Sequence, residues 1–516
     1  MAKVVIDPMS RIEGHLKVEA VVEGGVVKES AVSGTLFRGF EIFLRGRDPW
    51  DAQRLTERVC GVCPAVHGMA AAQNLDRALG VTEKVPPNGR LIRNIILACN
   101  YLQSHILHFY ALAALDFVDV TAVADYAGND PDLLAVKRFL ASGALAPFVP
   151  RYEGDYRLDK KQNIELTRHY IQALRMRALA HEALAVFGGK MPHDVGMVPG
   201  GVICGPTTDK IMSIIAKVRA IGEFAENVYI PDVIAVARAY PDYASIGKGV
   251  ENYLAWGVFD EDLDPDLTRR KRYFPNGVII DGKLGKADPE KVFEDVKHSW
   301  YADDCAGAPA EAQTIPLPEK NGAYSWLKSP RYDNAVCEVG PLARTMVAYR
   351  SGDEACRAEV DRLLSALGAK ADALKSVLGR HAARAIEVKR LAGKIVKWAL
   401  SLKPGEPFCV EAPVPDSGVG YGCVDGPRGA LGHWIEISEK KIARYQLVVP
   451  TTWNASPRDS QGRPGPMEQA LMGIRVKDVD NPFELARIVR SYDPCLACSV
   501  HVLDAHRNLK GAIRIA

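Results

Sequence analysis

The run Asp493-Pro494-Cys495-Leu496-Ala497-Cys498-Ser499-Val500-His501 decides how the rest of this chain is read. Two thiols spaced C-x-x-C can close on one metal centre, and the Asp-Pro before them and the His after them supply polar neighbours. A second pair lies near the other end, in Arg58-Val59-Cys60-Gly61-Val62-Cys63, followed by His67. One C-x-x-C is weak, because redox dithiols and half zinc sites share it. Two, each dressed with a His and a charged residue, point to a four-thiolate metal site assembled across the whole fold. At this level zinc, an iron–sulfur cluster and a softer nickel-containing site all remain open. A structural zinc knuckle would gather its ligands within a short stretch, whereas these pairs sit near opposite ends of the sequence. Buried thiolates need cations and hydrogen-bond donors beside them. Arg11 with His15, Arg58 with His67, and Pro427-Arg428-Gly429 ahead of Gly432-His433-Trp434 offer them.

Composition narrows the partners. The net charge of +2 gives no reason to expect nucleic acid or an anionic membrane surface. With 47% hydrophobic residues there is ample material for a core. The most apolar long region, Leu91 to Val120, is interrupted by Arg93, His105, His108 and Asp116, so it reads as buried helix and not as a membrane span. The start, Met1 to Arg11, is charged and turn-forming and has no apolar leader. Eleven dispersed cysteines are not a secreted disulfide framework. Cys99, Cys204, Cys305, Cys337, Cys356, Cys409 and Cys423 lack C-x-x-C partners and read as small core residues.

The pattern predicts an α+β fold, predominantly α-helical, with small β pieces at both sequence ends. Val4-Val5-Ile6, Leu16 to Val22 and Val26 to Ser33 read as strands, the last two joined at Gly24-Gly25. Helices are expected around 42–45, from 51 toward Arg58, over 68–79, 90–115, 132–141, 164–187, 209–239 and 482–492. Residues 352–402 read as two helices divided near Gly379, and 433–438 and 443–449 as strands. Residues 241–340 read as a weakly patterned excursion on a single large domain spanning 1–501.

Five segments together resemble one family. Arg11-Ile12-Glu13-Gly14-His15, Arg38-Gly39-Phe40-Glu41, Arg58-x-Cys60-Gly61-x-Cys63-x-x-x-His67, Gly426-Pro427-Arg428-Gly429 and Asp493-Pro494-Cys495-x-x-Cys498-x-x-His501 look like the motif set of nickel–iron uptake hydrogenase large subunits, in order and over essentially the whole chain. The resemblance implies that fold, and a nickel–iron centre that turns dihydrogen into protons and electrons. It makes Cys60 and Cys495 terminal nickel ligands, and Cys63 and Cys498 bridges between nickel and an iron that carries cyanide and carbon monoxide. Cys495 is the expected first proton acceptor, since an arginine resists deprotonation. Arg428 then acts as electrostatic support held by Asp493, and Glu13 as the first proton relay. His67 is expected to hydrogen-bond a cysteine sulfur, and Pro427 and Thr451 to flank the iron ligands. Glu41, the Leu447 carbonyl and His501 match a magnesium (or iron) site. His105, His108, His181 and His193 are read as satisfied core or loop histidines.

The same resemblance implies an iron–sulfur small subunit as partner, because no cysteine cluster here is left for iron–sulfur ligation. It further implies nickel chaperones, a maturation endopeptidase that removes 502–516 after His501, and a periplasmic or periplasm-facing location, with a cytoplasmic one as alternative. Cysteine at 495 does not indicate a nickel–iron–selenium enzyme, and Ser104 stands where oxygen-tolerant members tend to carry Asp. A hydrogen sensor has nearly the same site residues, while a scaffold like the quinone-side subunit of complex I lacks the cysteine pairs.

Overall fold

The computed structural model describes residues 1–144 and 146–496. The chain opens with an antiparallel sheet of Ala2–Ile6, Leu16–Glu23 and Val26–Gly34 in sequence order. Along Leu16–Glu23 buried and half-buried side chains alternate, as a strand with one face on a core requires. Gly24 and Gly25 both take positive φ, 58° and 76°, so the two-residue turn needs residues without a Cβ.

Among the described residues the α-helices are, in order, α1 (Phe40–Phe43), α2 (Asp51–Thr56), α3 (Pro64–Ala78), α4 (Pro87–Leu107), α5 (Pro131–Ala141), α6 (Lys160–Gly188), α7 (Thr208–Phe224), α8 (Ile230–Ala239), α9 (Pro341–Ser351), α10 (Glu354–Leu367), α11 (Val377–Leu400), α12 (Pro450–Asn454), α13 (Pro466–Leu471) and α14 (Phe483–Ser491). Helices α4, α6, α7 and α11 pack against one another as the central bundle. The predominantly helical α+β reading is therefore the observed class.

Three local expectations change. The helix expected over 90–115 stops being α at Leu107 and widens into a π turn, His108–Ala113. There the Leu112 carbonyl accepts Arg11 Nη1 at 3.1 Å. The helix expected over 209–239 widens in the same way at Ala225–Tyr229, just before Pro231, whose missing N–H cannot continue an α ladder. The division expected near Gly379 lies earlier. Gly368, at φ 59°, closes α10, and Ser376 Oγ accepts Gly379 N at 3.1 Å to start α11. A Cβ on Gly379 would lie 1.8 Å from the Leu374 carbonyl oxygen, so this glycine permits a close approach and does not break the helix.

The carboxy-terminal sheet runs Ser417–Gly426, Gly429–Ser438 and Lys441–Val448, all antiparallel. Its first strand escapes sequence reading because glycine is depleted in strands. The structure gives those glycines a use. Cβ atoms on Gly418, Gly420 and Gly422 would lie 2.6, 2.2 and 1.9 Å from the carbonyl oxygens of Ala78, Asn74 and Ala70, so α3 rests directly on this strand. That contact fixes the start of α3, with Cys63, relative to the turn at 426–429. We expect Gly422→Ala to cost about 3 kcal/mol, the upper end for overpacking. A thermal midpoint equal to the parent's would contradict it.

The 241–340 excursion is stitched to this sheet. Its Leu254, Trp256, Val278 and Val339 share one buried cluster with Cys423, Ala430, Trp434 and Trp453. Among the described residues, no helix is long and apolar enough to cross a membrane.

Candidate metal centre

Three separate parts of the sequence converge on one buried point. Cys60 follows the 3₁₀ turn Glu57–Val59 in extended conformation, and Arg38 tethers that turn by donating Nη1 to Val59 O at 3.0 Å and Nη2 to Arg58 O at 2.6 Å. Cys63 is the residue before the first turn of α3, with Pro64 at its first position. The α3 amino terminus therefore favours negative charge at that sulfur. Cys495 arrives from the far end of the chain. A parallel bridge joins it to the amino-terminal loop, where Leu496 N donates to Glu13 O at 2.7 Å and Glu13 N donates to Pro494 O at 3.4 Å.

The Sγ atoms of Cys60 and Cys495 are 3.3 Å apart, and those of Cys60, Cys63 and Cys495 all lie within 4.8 Å of one another. All three residues are buried. Ligands each about 2.3 Å from one ion would be spaced comparably. A soft thiophilic metal suits this donor set, whereas a hard cation would seek oxygens. Cys498 and His501 lie outside the described residues.

The surroundings are polar and ordered. The Cys495 thiol donates to Glu13 Oε2 at 3.2 Å, and its backbone N donates to Thr451 Oγ1 at 3.0 Å. Thr451 thus supports the cysteine directly, a contact the sequence reading did not name. Val62 N donates to Cys60 Sγ at 3.2 Å. Arg428 donates Nε to Asp493 O and Nη2 to Asp493 Oδ1, both at 2.9 Å, and Nη1 to Ser104 Oγ at 3.4 Å. Burial opposes its charge, but Asp493 and the thiols of Cys495, Cys63 and Cys60 outweigh burial and hold its pKa well above the ordinary arginine value. Arg428 is a fixed cation here. Arg11, offered from sequence as a cation for the thiolates, forms a buried ion pair with Asp116.

His67 sits on α3, where its Nδ1 shares a hydrogen bond with His433 Nε2 at 3.2 Å, and His433 Nδ1 one with the Tyr445 hydroxyl at 2.8 Å. Its Nε2 has no hydrogen-bond partner among the described residues, to which Cys498 does not belong. Burial pulls its pKa down to about 4 against the attraction of the Cys60 thiol, which leaves it neutral near pH 7. His433, named from sequence as a polar neighbour after the Gly426-Pro427-Arg428-Gly429 turn, reaches the site through His67. What sequence reading missed is helix α4 as a brace of the site. Asn100 Nδ2 and Gln103 Nε2 donate to Val62 O at 3.0 and 2.6 Å, and Tyr101 donates its hydroxyl to Asp425 O at 2.7 Å. One helix therefore braces both the cysteine loop and the arginine turn.

Behind the Cys60 loop, burial and then Asp194 push the Glu57 carboxyl up to about 9. The folded chain takes up a proton that the unfolded chain releases above its ordinary 4.5, so this group's stabilisation declines as pH rises from there toward 9. Glu57→Gln removes that dependence. Its melting temperature relative to the parent should be higher at pH 8 than at pH 5, and an equal difference at both would contradict the assignment.

Glu41 lies at a second polar site. Its Oε1 accepts Leu447 N at 2.9 Å and its Oε2 accepts the Thr314 hydroxyl. The Leu447 amide thus ties the last strand of the carboxy-terminal sheet to this carboxylate. A cavity of about 30 Å³ lies among Glu41, Glu294, Lys328, Tyr301 and Leu447. Lys328 Nζ spans Glu294 Oε2 at 2.9 Å and Gln446 Oε1 at 3.2 Å. Two carboxylates around a void with room for an ion or a water suit a hard, oxygen-seeking cation.

Buried thiols closing on one point, a fixed cation close to them and a carboxyl against one sulfur make the class of protein one built to hold a thiophilic metal. Comparison with known proteins makes the class specific. The family model described as nickel-dependent hydrogenase matches residues 38–501, and a HoxL-like model matches 3–29. The chain is 40% identical to the periplasmic [NiFeSe] hydrogenase large subunit of Desulfomicrobium baculatum, covering 99% of this chain and 97% of that one. It is 36% identical to the Hydrogenase-1 large chain of Escherichia coli K12, over 97% and 95%. The solved Ni-Fe-Se hydrogenase from D. vulgaris Hildenborough in the reduced state superposes with a TM-score of 0.86 at 42% identity, covering 97% of this chain and 100% of that one. The chain belongs to the nickel-dependent hydrogenase family, as a large subunit and an oxidoreductase acting on dihydrogen. Family membership implies a centre of nickel and iron. Position 495 is cysteine here, although two of these relatives are named as selenium enzymes.

Proposed function

We propose that this chain catalyses reversible heterolytic cleavage of dihydrogen and passes the electrons to an iron–sulfur small subunit. The observation that carries the reading is the buried trio Cys60, Cys63 and Cys495 with Glu13 at 3.2 Å from the Cys495 sulfur. Cys60 and Cys495 would hold nickel, and Cys63 with Cys498 would bridge to iron carrying cyanide and carbon monoxide. When bound, that centre supplies the two-electron chemistry of dihydrogen. The protein's part is proton handling and electrostatics. Cys495 Sγ takes the proton, and Glu13 Oε2, already in hydrogen-bond contact, receives it and passes it outward. Arg428, pinned by Asp493, keeps its positive charge and stabilises negative charge that develops at the thiolates. Pro427 and Thr451 would flank the ligands of the iron, and Thr451 also holds the Cys495 backbone.

Magnesium, or iron, is assigned to the Glu41 site with the Leu447 carbonyl and His501 as further ligands. Glu41→Ala should lower magnesium or iron content at that site while nickel stays at the parent level, checked by elemental analysis. Nickel chaperones and an endopeptidase cutting after His501 complete maturation in this reading. A periplasm-facing location is supported by the Desulfomicrobium relative, which is named a periplasmic hydrogenase. The deciding experiment is metal analysis with infrared spectroscopy of the purified protein. Nickel with cyanide and carbon monoxide stretches is the expected result, and zinc without those bands refutes the reading.

A further inference from the structure

Arg428 is useful only if its guanidinium is held at one height over the thiols, and its side-chain contacts fix only the far end of it. The backbone that carries it is a tight turn between two strands, Gly426 pairing Gly429, with no ladder bonds of its own at Pro427. Pro427 lacks an N–H, so the turn's carbonyls must be held from outside.

Helix α9 supplies the holder. Arg344 donates Nη1 to Gly426 O at 2.7 Å and Nη2 to Pro427 O at 3.1 Å. The other edge of the same guanidinium is locked by Glu387 of α11, with Nε on Oε1 at 2.7 Å and Nη2 on Oε2 at 2.8 Å. His105 of α4 closes the set, its Nε2 on Glu387 Oε2 at 2.8 Å. All three side chains are buried, at 2%, 3% and 0% exposure for Arg344, Glu387 and His105. The backbone meets α9 just as closely. A Cβ on Gly340, the residue before α9, would lie 3.0 Å from Arg428 O, and one on Gly429 would lie 2.5 Å from Gly340 N.

The charges are consistent with a rigid clamp. Burial would raise the Glu387 carboxyl, but Arg344 and His105 overcome it and bring the pKa to about 2, so the acceptor is a carboxylate. Burial takes His105 down to about 4 even with Glu387 beside it, so a neutral ring donates its Nε2 proton. A planar fork that spans two carbonyls and a carboxylate at once cannot be replaced by a lysine's point charge.

We propose that Arg344, locked by Glu387 and His105, is a positioning residue that sets Arg428 over the metal-binding thiols by gripping the Gly426 and Pro427 carbonyls. His105, read from sequence as a satisfied core histidine, thereby belongs to the machinery at one remove. The inference rests on the proposed role of Arg428, so the test must separate the two. Arg344→Lys, Arg428→Lys and the double variant are compared with the parent for kcat, nickel content, infrared bands of the iron ligands, and amide exchange of the peptide around 424–430.

Arg344→Lys should keep its nickel, shift the diatomic bands, and lower kcat about tenfold, as a small misplacement of a supporting charge would. Exchange at 424–430 should rise while peptides of α6 and α7 keep the parent's rate. The two kcat losses should be far from multiplicative, because both act through one guanidinium. Multiplicative losses with parental bands and parental exchange at 424–430 overturn the proposal. A parent protein without diatomic bands overturns the nickel–iron reading itself, and this inference with it. If Arg344→Lys does not accumulate folded, Glu387→Gln, which keeps Arg344 but frees its fork, runs the same cycle with the same two outcomes.

Discussion

Cys495→Ser should yield protein with almost no nickel and with hydrogen uptake reduced about 100-fold or more, beyond the ~10–100-fold that loss of a supporting contact costs. The reason is local. The Cys495 sulfur is fully buried, 3.3 Å from Cys60 Sγ, with Glu13 on its other side. A serine hydroxyl fits the space but does not ionise there and is a hard donor, so a soft metal loses one anchor with no substitute. The fold should survive, because the segment is fastened by its backbone through Leu496 N on Glu13 O and Cys495 N on Thr451 Oγ1. Metal analysis beside a melting curve separates lost ligation from lost folding. Full nickel loading with normal uptake would sink the ligand assignment.

Glu13→Gln should do the reverse, keeping the metal and losing the proton. The amide is the same size and can still hydrogen-bond Cys495, but it cannot accept and release a proton at the pH of turnover. Removing a general acid–base group costs roughly 10²–10⁴ in rate. Hydrogen–deuterium exchange and uptake should fall together by that range at unchanged nickel content. Backbone pairing with Pro494 and Leu496 does not involve the carboxyl, so the loop has no reason to move. Parental exchange rates in the variant would remove Glu13 from the relay.

The two variants split the site into ligand and proton functions, and the electrostatic function is left to Arg428. Its side chain reaches Asp493 and Ser104, while Arg344 holds the turn that carries it. Cation, ligand and acid thus come from three segments remote in sequence, joined by helices α3, α4 and α9 and the strand 417–426.

The sequence alone determined the family and the chemistry. Cysteine pairs, Arg-Gly-Phe-Glu, Gly-Pro-Arg-Gly and Glu13 are side chains whose identity carries their function, so they can be read without coordinates. Helices with strong periodicity and the amino-terminal hairpin were legible because burial of one face leaves a period in the residues. Only the tertiary structure showed how the parts are held. The strand at 417–426 carries glycine at alternate positions because α3 lies on it, the pairing of Glu13 with Cys495 is a backbone bridge across nearly the whole chain, and the Leu447 amide holds the Glu41 carboxylate. Tyr101, Glu387 and Arg344 have no local signal. Each matters through a hydrogen bond to a residue far away along the chain, and such a bond leaves no period, spacing or composition bias near either partner.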